Sequence, residues 1–190
     1  ANGHEVMAIA RSEKAAAKIR KVGAVPVMDD LINLSANTEK AMAECRVIIH
    51  AAAHMDFTYD LAPYQALNID ATEQLLVLAK NAGVTRFIYI SAAPVIPGSP
   101  VVKLTEAEAG KELPTALYPR TKAIAERKVL AENSPQMRTI ALRPPAIWGP
   151  DNHHYDDLLN NVKTGKWRWI GGGRQILSTI HVKNLANAIL

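Results

Sequence analysis

Residues 46–52 read Arg-Val-Ile-Ile-His-Ala-Ala, a continuous apolar run that is typical of a strand buried on both faces of a parallel sheet. Similar β-rich runs at residues 4–10, 24–28, 86–91 and 138–143 predict four more strands. Helical patterns lie between these runs, so strand and helix alternate strictly. This alternation predicts an α/β fold with a doubly wound, Rossmann-like parallel sheet.

The strand–helix alternation ends after Pro150, which suggests two parts of unequal size. We expect a nucleotide-binding domain over residues 1–150 and the start of a smaller substrate-binding lobe over residues 151–190. Within that lobe, residues 167–170 are predicted to form a short strand and residues 171–173 a turn. A doubly wound nucleotide fold opens with a strand and a glycine-rich phosphate loop. Residues 1–4 have the character of the tail of the first helix, so we expect that strand and loop to be absent from this sequence.

Composition excludes several classes of protein. The chain has 190 residues and a net charge of +4 with no basic tract, which argues against a nucleic-acid partner. Its one cysteine, Cys45, excludes an internal disulfide and fits a reducing, cytoplasmic location. No segment is apolar and long enough for a membrane partner. His50 and His54 are of a residue type that binds metals, but a third ligand with matching spacing is lacking, so no metal is expected.

Tyr118 and Lys122 form the most informative pair of side chains. They lie four residues apart at the start of an amphipathic segment, so a helix would place the phenol and the ammonium on one face. A phenol titrates near 10, and lowering its pKa by ~3 units takes about 4 kcal/mol, which a partly desolvated cation can supply. A surface tyrosine and a solvated lysine are the structural alternative. The position of the pair between two apolar strands favours a catalytic acid and base.

Several short segments in a fixed order resemble the extended short-chain dehydrogenase/reductase family, and within it the 3β-hydroxysteroid dehydrogenase and dihydroflavonol reductase branch. The resemblance covers nearly the whole chain, and its segments are residues 3–6, 47–53, 68–72, 118–122, 143–150 and 181–185. It implies an enzyme that interconverts a secondary alcohol and a ketone with a nicotinamide cofactor. Tyr118 would move the proton, and Lys122 would lower the pKa of Tyr118 and hold the nicotinamide ribose. A homodimer and a small-molecule substrate are compatible with this family.

The resemblance and the residue types together place a set of side chains around the cofactor. These residues are Arg11, Ser12, Asp30, Leu31, His50, Ala51, Ala52, Ala53, Asn68, Tyr118, Lys122, Pro144, Pro145 and Ile147. NADP(H) is favoured over NAD(H), because Arg11 stands where NAD-selective members carry a carboxylate and a guanidinium suits a phosphate. Several of these residues also have a purely structural interpretation. Arg11 would be a surface side chain, and His50 a hydrogen-bonded histidine at a strand end. Asn68 would face solvent, and the prolines would stiffen the chain after its strand.

One position departs from the family pattern. Ala92 stands where the family places a Ser or Thr hydroxyl that hydrogen-bonds the reacting oxygen, and Ser91 precedes it. Adjacent strand side chains point to opposite faces, so Ser91 serves as the third catalytic group only where the backbone turns. Losing such a donor costs roughly 3 kcal/mol of transition-state stabilisation. The missing hydroxyl leaves a catalytically impaired NADP(H)-binding regulator open as one alternative. A sugar-nucleotide epimerase of the same family is the other.

Overall fold

Parallel strand pairing organises the computed structural model of the chain, which describes residues 3–56, 58–96, 105–106, 112–150, 152–174 and 176–190. The elements in chain order are β1 (Met7–Ala10), α1 (Glu13–Lys21), β2 (Val25–Met28), α2 (Ala36–Ala43), β3 (Val47–His50), α3 (Leu61–Tyr64), a π-helical turn (Gln65–Asp70), α4 (Ala71–Asn81), β4 (Arg86–Ile90), α5 (Leu117–Ala131), β5 (Arg138–Leu142), β6 (Ala146–Trp148), α6 (His153–Lys163), β7 (Thr179–His181) and α7 (Val182–Ile189). Each predicted strand before residue 143 is present, and the predicted Rossmann-like α/β fold is confirmed.

Three parallel sheets carry the described strands. The largest has the order β3–β4–β5, with Val47 opposite Arg86 and Arg86 opposite Arg138. A second sheet pairs β1 with β2, and a third pairs β6 with β7. Parallel neighbouring strands need crossover connections. The segment that contains α4 connects β3 to β4, and the segment that contains α5 connects β4 to β5.

The main hydrophobic core lies between one face of the β3–β4–β5 sheet and helices α4 and α5. Phe87 and Tyr89 of β4 are completely buried there among leucine, alanine and valine side chains of the two helices. The opposite face is exposed: Val47 and Ile49 of β3 are 41% and 49% accessible, and Ile140 of β5 is 51% accessible. The expectation that β3 is buried on both faces was therefore wrong, since in the described residues helices pack on only one side.

A long helical segment from residue 61 to residue 81 crosses this core. The Asp60 side chain accepts a hydrogen bond from the Ala62 amide at 3.0 Å and so caps its start. A π-helical turn interrupts the segment at Gln65–Asp70, and such turns are frequent at functional sites. The segment ends near Gly83, whose φ of 73° suits a residue without a Cβ atom.

The chain divides into two compact units, Ala1–Leu142 and Arg143–Leu190. In the second unit the rings of Trp148 and His181 meet edge to face, with centroids 4.6 Å apart. The strand predicted at residues 167–170 was wrong: the chain there is irregular and passes into a short 3₁₀ turn, Ile170–Gly173. The turn predicted at residues 171–173 is confirmed, because all three glycines have positive φ.

Neither a membrane span nor a metal cluster is found within the part of the chain that the structure describes. Its helices are too short or too polar to cross a bilayer. The same residues contain no group of three or more His, Cys, Asp or Glu side chains placed to hold a metal ion.

Asp29 organises the connection between β2 and α2. Its Oδ2 atom accepts hydrogen bonds from the amide and hydroxyl of Ser35 at 3.0 and 2.9 Å and from the amide and hydroxyl of Thr38 at 3.2 and 2.6 Å. Burial raises the pKa of Asp29, but the bonds from Thr38, Ser35 and the Asp30 amide outweigh it and lower the pKa to about 2.

Asp29→Asn is expected to destabilise the protein by about 1 kcal/mol at pH 7, because the half-exposed side chain loses its charge and one of its two acceptor oxygens. The carboxylate contributes stability above its ordinary pKa of 3.8 and loses that contribution as the pH falls toward 2. Urea denaturation at pH 7 and pH 3 should therefore show a smaller difference between wild type and variant at the lower pH. Glu39→Gln on the exposed surface of α2 is the control, and an equal difference at both pH values would contradict the assignment.

Candidate functional site

Helix α5 places Tyr118 and Lys122 on one face, as their spacing predicts. Tyr118 is half-buried and Lys122 is 1% accessible, which is unusual for a lysine. The Lys122 Nζ atom donates a hydrogen bond to the Ile90 carbonyl oxygen at 2.6 Å, at the end of β4. The same atom lies 4.0 Å from the centroid of the Tyr89 ring. The alternative of a solvated surface lysine is therefore wrong.

Burial controls the electrostatics of this pair. It lowers the pKa of Lys122 to about 7, against the opposing effect of the Glu126 carboxylate. It also raises the pKa of the Tyr118 phenol above its ordinary value of 10. The sequence argument expects an ammonium that lowers the phenol's pKa, whereas in this structure desolvation of the phenol is the dominant effect. The phenol is therefore fully protonated at neutral pH.

Ser91 and Ala92 occupy opposite sides of the chain after β4. Ala92 has extended backbone angles, φ −153° and ψ 147°, so the strand geometry continues and adjacent side chains diverge. Ala92 is buried with Val95 and Ala123 in a small cluster against which Tyr118 packs. The Ser91 Oγ atom is buried and has no hydrogen-bond partner among the described residues. The backbone does not turn at Ala92, where a turn would redirect the hydroxyl of Ser91.

Asn68 joins the loop after β3 to helix α5. Its Oδ1 atom accepts a hydrogen bond from the His54 amide at 2.6 Å, and its Nδ2 atom donates to the His54 carbonyl oxygen at 3.1 Å. Nδ2 also donates to the Thr121 hydroxyl at 3.0 Å. Asn68 is 1% accessible, so the solvent-facing alternative is wrong. The π-helical turn thus presents a buried amide to the residue that precedes Lys122.

His50 ends β3 as a buried, uncharged side chain. Its Nε2 atom lies 2.9 Å from the Thr72 hydroxyl oxygen. Burial, followed by the charge of Lys122, lowers the pKa of His50 to about 3. His50 is thus neutral at physiological pH and does not act as a cationic acid. The residues that follow it, Ala51 and Ala52, are exposed, and Ala53 is half-buried.

The remaining predicted cofactor residues lie at the ends of other strands. After β1, Arg11 is exposed and the Ser12 hydroxyl oxygen caps α1 by accepting a hydrogen bond from the Ala15 amide at 3.2 Å. After β2, the Asp30 carboxylate accepts from the Ile32 amide at 3.1 Å, and Leu31 packs against the main core. The carboxyl ends of β1–β4 therefore carry Arg11, Ser12, Asp30, Leu31, His50 and Ser91. Pro144, Pro145 and Ile147 belong to the second unit.

Two residues of the site were missed in the sequence. Glu126 is 5% accessible and follows Lys122 by four residues, so the helical spacing that connects Tyr118 to Lys122 also points to Glu126. In the sequence, Tyr89 has the pattern of an ordinary buried strand residue. Its contact with Lys122 joins residues that lie 33 positions apart in the chain. No local signal in the sequence predicts that contact.

Comparison with known proteins supplies the family. The family model of the 3-beta hydroxysteroid dehydrogenase/isomerase family matches residues 4–190. The chain is 36% identical to a 4-hydroxy-2-methyl-3-oxo-4-farnesyl-3,4-dihydroquinoline-1-oxide ketoreductase of Stigmatella aurantiaca, over 100% of this chain and 57% of that protein. It is 34% identical to the decarboxylating sterol-4-alpha-carboxylate 3-dehydrogenase of Dictyostelium discoideum, over 99% of this chain and 60% of that protein.

A solved structure confirms the fold independently. UDP-glucuronic acid 4-epimerase from Bacillus cereus, in complex with UDP-glucuronic acid and NAD, superposes with a TM-score of 0.80 at 20% identity, covering 99% of this chain and 64% of that one. The chain thus spans less than two thirds of the length of these proteins. Its match to the family model and its identity to the two relatives show that the chain belongs to the 3-beta hydroxysteroid dehydrogenase/isomerase family, a part of the extended short-chain dehydrogenase/reductases.

Proposed function

We propose that the protein is an NAD(P)-dependent oxidoreductase that interconverts a secondary alcohol and a ketone. The observation that carries this proposal is the buried Lys122 ammonium one helical turn after the Tyr118 phenol, at the carboxyl end of β4. Relatives named as a ketoreductase and a dehydrogenase support the same class of reaction. A homodimer is part of the proposal as the family's common assembly.

The residues at the strand ends fit a nicotinamide nucleotide. Arg11 is an exposed cation at the end of β1, where it suits a phosphate group, and the small exposed side chains of Ala51 and Ala52 allow close approach at the end of β3. Ligands of open α/β sheets bind at this carboxyl edge. The cofactor, when bound, accepts or supplies the hydride. Pro144, Pro145 and Ile147 are proposed as cofactor-binding residues on the strength of the family resemblance.

Tyr118 and Lys122 divide the proton chemistry between them. In the reductive direction the Tyr118 hydroxyl donates its proton to the carbonyl oxygen of the substrate, which becomes an alcohol. The Lys122 ammonium stabilises the phenolate that remains, until water returns a proton to it. Burial raises the pKa of Tyr118, so the unliganded protein holds the phenol in the protonated form that the reductive direction uses.

The proposed substrate is a largely hydrocarbon molecule that carries one oxo or hydroxyl group. The names of the two relatives mention farnesyl and sterol groups. In the second unit of this chain, Trp169, Ile176 and Leu177 are 75%, 96% and 79% accessible, which is a large exposure for apolar side chains. These exposed side chains are proposed to bind apolar groups.

Tyr118→Phe in the full-length protein is expected to reduce turnover at least 10³-fold, because the variant keeps the ring but has no proton to donate. Binding of NADPH should change less than about threefold. The measurement is loss of reduced-nicotinamide absorbance with a panel of apolar ketones, together with fluorescence titration of the cofactor.

The same panel separates the alternatives. Unchanged turnover in Tyr118→Phe would contradict the acid–base assignment. Ala92 favours a second candidate, a cofactor-binding regulator, and this candidate predicts tight NADPH binding by the wild type with no turnover on any ketone. An epimerase would convert its substrate without net change in nicotinamide absorbance.

Ala92→Ser is expected to raise kcat by about 10- to 100-fold, since it restores a hydroxyl donor on the side of the strand where Tyr118 packs. Ser91→Ala is the matched control, and it should leave kcat within about twofold because Ser91 Oγ points away. Steady-state kinetics of both variants on the best ketone provide the check. A loss of activity in Ser91→Ala with no gain in Ala92→Ser would assign the catalytic hydroxyl to Ser91 instead.

Arg11→Gln is expected to weaken NADPH binding about tenfold or more and to leave NADH binding within about twofold, because only the former carries a 2′-phosphate. Lys14→Gln, an exposed neighbour on α1, is the charge-matched control. The two dissociation constants are measured by isothermal titration calorimetry at one salt concentration. Equal weakening for both cofactors would contradict a 2′-phosphate contact.

A further inference from the structure

Tyr89 and Ile90, consecutive residues at the end of β4, both contact the Lys122 ammonium. The Ile90 carbonyl oxygen accepts its hydrogen bond at 2.6 Å, and the Tyr89 ring centroid lies 4.0 Å from Nζ. That distance lies within the range of cation–π attraction, which is strongest where water is excluded. Tyr89 is 0% accessible and Lys122 1%, so water is excluded here.

The ring of Tyr89 makes this contact, while its hydroxyl contributes nothing visible. The hydroxyl is buried and has no hydrogen-bond partner among the residues that the structure describes. Burial, with the nearby Tyr118 and Glu126, raises the pKa of Tyr89, so the phenol stays neutral. A buried hydroxyl without a hydrogen-bond partner lowers stability. The Tyr89 hydroxyl is such a group, and it belongs to a ring whose face contacts the buried Lys122 ammonium.

Four titratable side chains surround the ammonium, and they act in different directions. His50 from β3 is neutral, and its ring centroid lies 5.5 Å from that of Tyr89. Tyr118 and Tyr89 are neutral phenols. Glu126 on α5 is the carboxylate that raises the pKa of Lys122 against the effect of burial. The quadrupole of the Tyr89 ring therefore adds to the attraction of Glu126 and of the Ile90 carbonyl.

We propose that Tyr89 is a positioning residue whose ring face holds the Lys122 ammonium, charged and seated against the Ile90 carbonyl, before any ligand binds. This proposal deepens the proposed function, on which its catalytic meaning rests. The contact itself is a property of the unliganded protein. It assigns a role to the aromatic residue two positions before Ser91, beyond the Tyr118–Lys122 pair.

The test measures the charge of Lys122 directly, in full-length protein carrying ¹³C-labelled lysines. The Lys122 Cε resonance is identified by its loss in Lys122→Met, and its pH titration is followed by NMR. Tyr89→Phe keeps the ring, so the midpoint should stay within about 0.3 pH unit of wild type. Tyr89→Leu removes the ring, and the midpoint should fall by about one pH unit, a tenfold loss in the protonation constant.

Graded fluorination of the ring tests the contact without changing its shape. Phenylalanine, 3,5-difluorophenylalanine and pentafluorophenylalanine are placed at position 89 by nonsense suppression, and the Lys122 midpoint should fall stepwise as the ring face loses negative potential. These variants keep the core filled even where Tyr89→Leu fails to fold. A midpoint that does not change across the series would overturn the proposal.

Turnover is measured separately on the same proteins, so that the two proposals fail independently. Fluorination should lower kcat more than it raises KM, because the charge acts on the phenolate formed during reaction. A fluorine-dependent midpoint in a protein that turns over no ketone would uphold the role of Tyr89 and reject the oxidoreductase. Turnover that depends on Tyr118, with a fluorine-independent midpoint, would reject the role of Tyr89 alone.

Discussion

The buried ammonium of Lys122 is the constraint on which the site depends. Removing such a group from water costs several kcal/mol, and its contacts must offset that cost. The Ile90 carbonyl, the Tyr89 ring and the charge of Glu126 supply these contacts. Because the first two belong to β4, they fix one turn of α5 against the end of that strand. The position of Tyr118, one turn earlier, follows from this attachment.

Burial also decides which groups near the ammonium carry charge. His50 loses its ability to become a cation at physiological pH, and the two phenols, Tyr89 and Tyr118, keep their protons. The lysine and the Glu126 carboxylate are then left as the groups whose charges interact across this part of the core. A site arranged in this way responds to the charge that a ligand brings more strongly than an exposed site would, because the surroundings screen it weakly.

The sequence predicts most of the fold and the central pair, but not their electrostatics. Short β-rich runs between amphipathic segments are local patterns, and they place the strands of the first unit and the helix of Tyr118 within a few residues. The strand predicted at residues 167–170 failed because β-propensity requires a neighbouring strand, and Trp169 instead packs against Gly173, where a Cβ atom would come within 2.7 Å of the indole. The pKa of Tyr118 could not be predicted from the sequence. It depends on how far burial of the phenol outweighs the charge of the Lys122 ammonium, and burial is decided by packing.

The π-helical turn at Gln65–Asp70 has a consequence for how this segment tolerates change in length. Such a turn amounts to one extra residue in an α-helix, and each residue turns the helix by about 100°. Deleting one residue there would leave a regular helix, but every side chain before the deletion would move to a different face. Tyr64, now 2% accessible with its ring 4.6 Å from that of His54, would leave the core, although α4 beyond the turn would be undisturbed. The extra residue thus sets the angular phase between α3, which carries Tyr64, and α4 beyond the turn.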